Sequence, residues 1–198
     1  GTLRTVATVT VRPGDELASR IVEARRSAAP RSFVSVTLPA GFDPRTLLDD
    51  PQGNGVVASY ERPERGLALV GVGVAGRVDV LAGAHPASVK EEARALLTQP
   101  LGGDIPLLTP RLLGGFRFNP AAAVQDPWRD FGAGWLVLPR LLFALNGESN
   151  AAVVAPDVDP EAVEALVGPP AGVPAPASAP LRVERPMDRQ AWLASVAA

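Results

Sequence analysis

Residues 135–155 read WLVLPRLLFALNGESNAAVVA and hold two apolar runs followed by a turn. The runs 135–138 and 141–145 are separated by Pro139-Arg140, and their length and composition are typical of strands. Asn146-Gly147 favours the positive φ angles that close a tight hairpin. We therefore expect residues 151–155 to pair back on 141–145, and the region 112–155 to form a meander.

The same strand signals continue on the N-terminal side of this meander. Alternating apolar and polar side chains predict strands at 5–11, 33–38, 56–60 and 67–74. The last two strands flank a short charged turn, which is typical of a hairpin. Glycines follow the strand at 67–74, and the alternation resumes beyond them, so we expect this strand to continue through a β-bulge.

Helical spacing of apolar residues predicts short helices between the strands. Asp15 can cap a helix that ends near Ala28, Asp43-Pro44 opens a helical turn, and Asp159-Pro160 opens another helix. Pro86 suits the first position of a further helix. Its apolar stripe consists of Val89, Ala93, Leu96 and Leu97. The predicted class is α+β, an antiparallel β-sheet with flanking helices.

Composition changes near the end of the sequence. Residues 168–186 are rich in proline and poor in bulky side chains, so we expect a semi-rigid connector after a first domain at 1–167. Asp188 begins a helical pattern that has no closing signal before Ala198. Residues 187–198 are predicted to be the start of a helix that leads into a further domain.

Charge and cysteine content exclude several classes of function. The 198 residues carry a formal net charge of -2 and no cysteine. There is no broad basic surface for nucleic acid or anionic membranes, no disulfide framework and no thiolate metal site. Apolar runs are far shorter than the ~20 residues that cross a bilayer. The overall composition favours a cytoplasmic protein.

Residues 71–76, GVGVAG, match the spacing of a dinucleotide-binding fingerprint. That chemistry requires a helix to begin at the glycines, so that its N-terminus faces the pyrophosphate. Here the alternating pattern of a strand continues, and the next helix begins only at Pro86. We therefore expect these glycines to serve strand bending and close packing.

The remaining polar candidates have a structural interpretation that outweighs a catalytic one. His85 precedes a helix start and can cap it. Asp157 and Asp159 lack the rest of a calcium loop, so we expect them to serve as helix caps. Glu161 and Glu164 are expected on a solvated helix face. Surface charge is the expectation for the other groups weighed, which are Arg25, Arg26, Arg62, Arg65, Lys90, Glu91 and Glu92. No catalytic, cofactor-binding or metal-binding residue is assigned.

Several segments, in order, resemble the N-terminal part of an isochorismate synthase, one of the chorismate-utilising enzymes. The family's glycine-ended strand, its Gly-Gly-Phe strand and its proline-ended strand all have counterparts here, as do a loop and a final helix. The resembling segments are RGLALVGVGVAG (65–76), GGFRF (114–118), DPWRDF (126–131), LVLPR (136–140) and DRQAWLASV (188–196).

The resemblance implies the fold of the N-terminal half of aminodeoxychorismate and anthranilate synthases, and a Mg²⁺-dependent conversion of chorismate to isochorismate by the full-length enzyme. It places the catalytic groups, the Mg²⁺ ligands and the chorismate site in a C-terminal half, the expected partner of this chain, which alone is expected to be inactive. A component of anthranilate or aminodeoxychorismate synthase and a stand-alone binding module on the same scaffold are the alternatives. The sequence does not distinguish menaquinone, siderophore and salicylate biosynthesis.

Overall fold

The computed structural model describes residues 16–81, 86–97, 109–117, 132–147 and 149–168. Its elements confirm the α+β class, with an antiparallel sheet and flanking helices. The helices are α1 (Leu17–Ser27), α2 (Pro86–Leu96) and α3 (Pro160–Val167). The strands are β1 (Val34–Thr37), β2 (Val56–Arg62), β3 (Leu67–Asp79), β4 (Leu113–Phe116), β5 (Gly134–Asn146) and β6 (Ser149–Val154).

The described strands form one sheet in the order β1-β6-β5-β3-β2, and β4 also pairs with β5. Every pairing is antiparallel. The predicted hairpin at Asn146-Gly147 is confirmed, with Leu141 opposite Val154 and Ala144 opposite Ala151. The hairpin of β2 and β3 is confirmed as well. The meander therefore supplies the centre of the sheet.

The predicted interruption at Pro139-Arg140 is wrong, because β5 runs through both residues as one strand of 13 residues. Pro139 has no amide hydrogen to donate to β3. The partner strand accommodates it with the predicted bulge, since the register between β3 and β5 shifts between Val74 and Gly76, opposite Pro139 and Leu138. Proline inside a sheet is usually confined to an edge or to such a bulge.

The core lies around β5 and β6, which are covered on both faces. Leu141 to Ala144 are four consecutive buried residues, so neither face of β5 is open to solvent at this point. The Phe143 ring lies 5.7 Å from the ring of Phe42, centroid to centroid. Phe42 lies two residues before the short 3-10 helix Pro44–Leu48. The N-cap of this helix is Asp43, which accepts a hydrogen bond from the Arg45 backbone amide at 2.9 Å, as the capping signal predicts.

The helices bury the stripes that their spacing predicts. Leu17 and Ile21 of α1 are buried, as is Val163 of α3, and α1 packs against both β1 and α3. In α2, Val89, Ala93 and Leu96 are half-buried, whereas Leu97 follows the helix and is exposed. No helix in the described ranges is long and apolar enough to cross a bilayer.

Several predictions concern parts of the chain outside the described residues. These are the strand at 5–11, the Asp15 cap, His85, the segment 126–131, residue 118, the connector beyond Gly168 and the helix at 187–198. The described residues belong to one compact unit that ends at Gly168. The division of the chain at 167 and 186 stays a prediction.

Candidate functional site

A pocket of about 600 Å³ opens beside the bulge of β3. This volume lies in the range of about 300–1,000 Å³ that is typical of small-molecule sites. The walls come from β3, the end of α2, β5, and the segments that precede β1 and follow β6. The charged residues of the lining are Arg31, Arg140 and Asp157, and its large apolar residues are Phe33, Val74, Leu96 and Leu138.

Arg140 is the best anchored charged group of this pocket. Its Nη2 donates to Asp157 Oδ2 at 2.8 Å, and its backbone carbonyl accepts from the Ala155 amide at 2.8 Å. Its Nε is buried and has no hydrogen-bond partner among the described residues. The ion pair with Asp157 therefore holds the side chain, which is 41% exposed and so remains accessible to a ligand.

Gly73 makes room for Arg140. A Cβ at Gly73 would lie 3.3 Å from Arg140 Cδ and 3.4 Å from Arg140 Cβ, closer than ordinary contact. Gly73 also has a φ of +63°, in the left-handed region that favours glycine. The alkyl part of Arg140 can consequently lie directly against the backbone of β3.

Arg31 is the second cation of the pocket, in the turn between α1 and β1. Arg31 has a φ of +62°, and among the described residues it is the one non-glycine residue with a left-handed backbone. This conformation costs about 1–3 kcal/mol. The turn is closed by a hydrogen bond from the Ser32 amide to the Ala29 carbonyl at 3.1 Å. Arg31 itself is exposed, so its guanidinium is accessible from solvent.

The glycine-rich segment is explained by packing, as predicted, rather than by a nucleotide. β3 continues as a strand to Asp79, so no helix begins at these glycines. A Cβ at Gly71 would lie 2.6 Å from Pro139 Cγ, and one at Gly76 would lie 2.7 Å from Leu96 Cδ2. Each glycine of the fingerprint therefore admits a side chain from a neighbouring element.

The two aspartates after β6 have different partners. Asp159 Oδ1 accepts from the Glu161 amide at 3.1 Å and caps α3, as predicted. Asp157 does not cap a helix, contrary to our expectation, but forms the ion pair with Arg140. Arg140 lies in β5, 17 residues before Asp157 in the sequence, so the local capping pattern could not reveal this ion pair.

Glu164 corrects the prediction of a solvated carboxylate face on α3. Its Oε2 accepts a hydrogen bond from the Ala18 amide at 3.0 Å and so caps the N-terminus of α1, whereas Glu161 is exposed. The residue at the start of α1, Glu16, provides no side-chain cap. In the described ranges no three His, Cys, Asp or Glu side chains converge to hold a metal ion.

Arg25 is the other correction, because it is not a surface charge. Its Nη2 donates to the carbonyls of Ala155 and Val158 at 2.9 and 2.6 Å. Burial lowers the pKa of Arg25, and the nearby carboxylates of Asp157 and Asp159 oppose this shift. The prediction of surface charge is confirmed for Arg26, Arg65, Lys90, Glu91 and Glu92, which are exposed. Arg62 is half-buried and pairs with Glu64.

Sequence patterns did not identify the pocket. Arg140 gave one signal, a charged residue inside an otherwise apolar stretch, but Arg31 gave none. The two meet only because the turn before β1 and the bulge of β3 lie beside the same part of β5.

Comparison with protein families gives one match that covers most of the chain. The model of the family described as "Chorismate binding enzyme" matches residues 19–167, which include every lining residue of the pocket. The search of curated proteins finds no match.

Proposed function

The chain belongs to the chorismate-binding enzyme family, and we propose that within this family it is the N-terminal, non-catalytic part of an isochorismate synthase. The supporting observation is that the resembling segments become neighbours in one sheet. Residues 65–76 lie largely in β3, 114–116 in β4 and 136–140 in β5, and β5 pairs with both of the others.

The contacts of the polar side chains support a scaffold role. Glu164 and Asp159 cap helices, Asp157 holds Arg140, and Arg25 joins α1 to the segment after β6. These groups stabilise the packing of helices on the sheet. Each of these contacts is made within the chain.

We place Mg²⁺ and chorismate in the C-terminal half that the resemblance implies. The side chains of the described ranges do not form a donor set for a metal ion, so no step through Mg²⁺ is assigned to them. In the full enzyme the reaction would add water to one ring carbon of chorismate while hydroxide leaves another. We propose the cytoplasm as its location, which the overall composition favours.

A component of anthranilate or aminodeoxychorismate synthase is the alternative enzyme, and the family match is equally compatible with it. These enzymes use ammonia as the nucleophile, whereas isochorismate synthase uses water. A stand-alone binding module on the same scaffold is the alternative from another class. The pocket of Arg31 and Arg140 is the observation that favours it.

The proposal is tested by comparing this 198-residue chain with the product of the same gene read through the codons after Ala198. Each is incubated with chorismate and Mg²⁺, with and without ammonium, and the products are separated by chromatography. We expect no conversion by the 198-residue chain, and conversion to isochorismate by the longer protein whether or not ammonium is present.

Three results would contradict the proposal. Turnover of chorismate by the 198-residue chain alone would show that it is not a scaffold. Products that appear only with ammonium would identify the anthranilate or aminodeoxychorismate alternative. A stop codon directly after Ala198 would favour the alternative of a stand-alone binding module.

A further inference from the structure

We propose that the pocket beside the bulge of β3 binds a small organic anion, a carboxylate on an apolar body. The carboxylate would lie against the guanidinium groups of Arg31 and Arg140. The apolar body would lie against the side chains that form the rest of the wall. The site belongs to this chain alone, so it does not depend on which chorismate enzyme the chain is part of.

Charge favours an anion in this pocket. Two guanidinium groups and the single carboxylate of Asp157 line it, which leaves one net positive charge. Because Asp157 already pairs with Arg140, Arg31 is the cation in excess. Arginine recognises carboxylates through planar, often bidentate hydrogen bonds, which are stronger than those between neutral groups.

Arg140 is preorganised for such a ligand. Asp157 holds Nη2, and Gly73 lets the alkyl part lie flat against β3. The side chain is 41% exposed and lines the pocket, so a ligand carboxylate can reach it there.

The apolar part of the lining favours an organic anion over an inorganic one. Val74 is 44% exposed although it is a large aliphatic residue, and it stands on the pocket wall beside Leu96 of α2 and Leu138 of β5. A ligand that covers Val74 removes this apolar surface from water, which inorganic phosphate or sulfate cannot do.

Benzoate is a suitable probe, with benzamide as its uncharged analogue and inorganic phosphate as an anion without an apolar body. Each is titrated into the 198-residue chain by calorimetry and by amide NMR. We expect saturable binding of benzoate, with chemical-shift changes at the Gly73 and Val74 amides. Benzamide and phosphate should bind at least about 10-fold more weakly than benzoate. Loss of one charged hydrogen-bonding group corresponds to about this factor.

The variants Arg140→Gln and Arg31→Gln are each expected to weaken benzoate binding about 10-fold or more. Arg62→Gln is the matched control, because Arg62 also pairs with one carboxylate and is similarly exposed, 38% against 41% for Arg140, but lies away from the pocket at the end of β2, opposite Leu67. Arg31 is exposed, so its variant remains informative if Arg140→Gln fails to fold.

The proposal is overturned if benzoate shows no saturable binding, or if benzamide or phosphate binds as tightly as benzoate. It is equally overturned if Arg31→Gln binds benzoate like Arg62→Gln. A loss of binding confined to the two pocket arginines supports it, whatever the outcome of the chorismate assay.

Discussion

Arg25 and Arg26 are neighbours in α1 but have different surroundings. Arg25 reaches the carbonyls of Ala155 and Val158, more than 100 residues away in sequence. Among the described residues Arg26 pairs with Glu23, one turn earlier on the same helix, and 73% of its side chain is exposed. Consecutive residues of a helix point in different directions, so one arginine is a structural hydrogen-bond donor and the next is a solvated charge.

We expect Arg25→Met to lower the free energy of unfolding by about 1–3 kcal/mol, because it removes the charged donor from two partly buried carbonyls, of which that of Ala155 keeps a second donor, the Val158 amide. Arg26→Met should change it by less than about 0.5 kcal/mol, as exposed ion pairs contribute little. Chemical denaturation of both variants measures the difference. Equal losses would mean that the hydrogen bonds of Arg25 do not stabilise the fold.

Gly73 and Gly132 provide a second matched pair, because both have a φ of +63°. An alanine at either position incurs the left-handed backbone cost of about 1–2 kcal/mol. Gly73 faces a close neighbour, Arg140, whereas none of the described residues lies within 4 Å of a Cβ at Gly132. We expect Gly73→Ala to lose about 1 kcal/mol more than Gly132→Ala in chemical denaturation. Equal losses would show that Arg140 moves aside without cost.

At the level of elements, β5 shows how a proline is placed inside a central strand. Pro139 is buried in the middle of β5, where a missing amide would normally break the hydrogen-bonding ladder. The bulge between Val74 and Gly76 lies opposite this point, and Gly71 leaves space for the proline ring. Two strands thus share the irregularity, and the residue after it, Arg140, is directed into the pocket.

The packing of α1 on α3 depends on a cap that one helix supplies to the other. We expect Glu164→Ala to speed hydrogen exchange of the Ala18 amide and to lower the free energy of unfolding by about 1 kcal/mol, the usual value of an N-terminal cap. Glu161→Ala should leave exchange at Ala18 unchanged, because Glu161 is exposed on the same helix. Unchanged exchange in both variants would exclude the capping role of Glu164.

For the whole molecule, β5 is the element on which the others depend. It pairs with β3, β4 and β6, and its residues Leu142 and Phe143 are 1% and 0% exposed. The helices and the turn at Pro44–Leu48 pack on this sheet rather than forming a core of their own. Damage at the centre of β5 should therefore affect every described element together.

Phe143→Ala should lower the free energy of unfolding by about 3–5 kcal/mol, through lost burial and the cavity left behind. Thermal unfolding followed by circular dichroism and by tryptophan fluorescence should still give coincident transitions. Phe116→Ala is the control, since Phe116 is 57% exposed at the end of β4. A similar loss in both variants, or transitions that separate, would contradict the central role of β5.

The elements that the sequence predicts are those that depend on contacts between residues close together in the chain. Alternation and helical spacing located the described strands and helices, Asn146-Gly147 located the central hairpin, and Asp43 and Asp159 were recognised as caps. Each of these signals acts over a few residues, where the backbone geometry is already fixed by turn and helix periodicity.

Tertiary structure decided the rest, because the interacting groups are far apart in the chain and no sequence period connects them. Glu164 accepts from the Ala18 amide, 146 positions earlier, and Arg25 reaches carbonyls 130 and 133 positions away. Whether such a side chain is solvated or buried depends on which strands become neighbours in the sheet. The pocket of Arg31 and Arg140 has the same origin, since it exists only where the bulge of β3 meets β5 and the turn before β1.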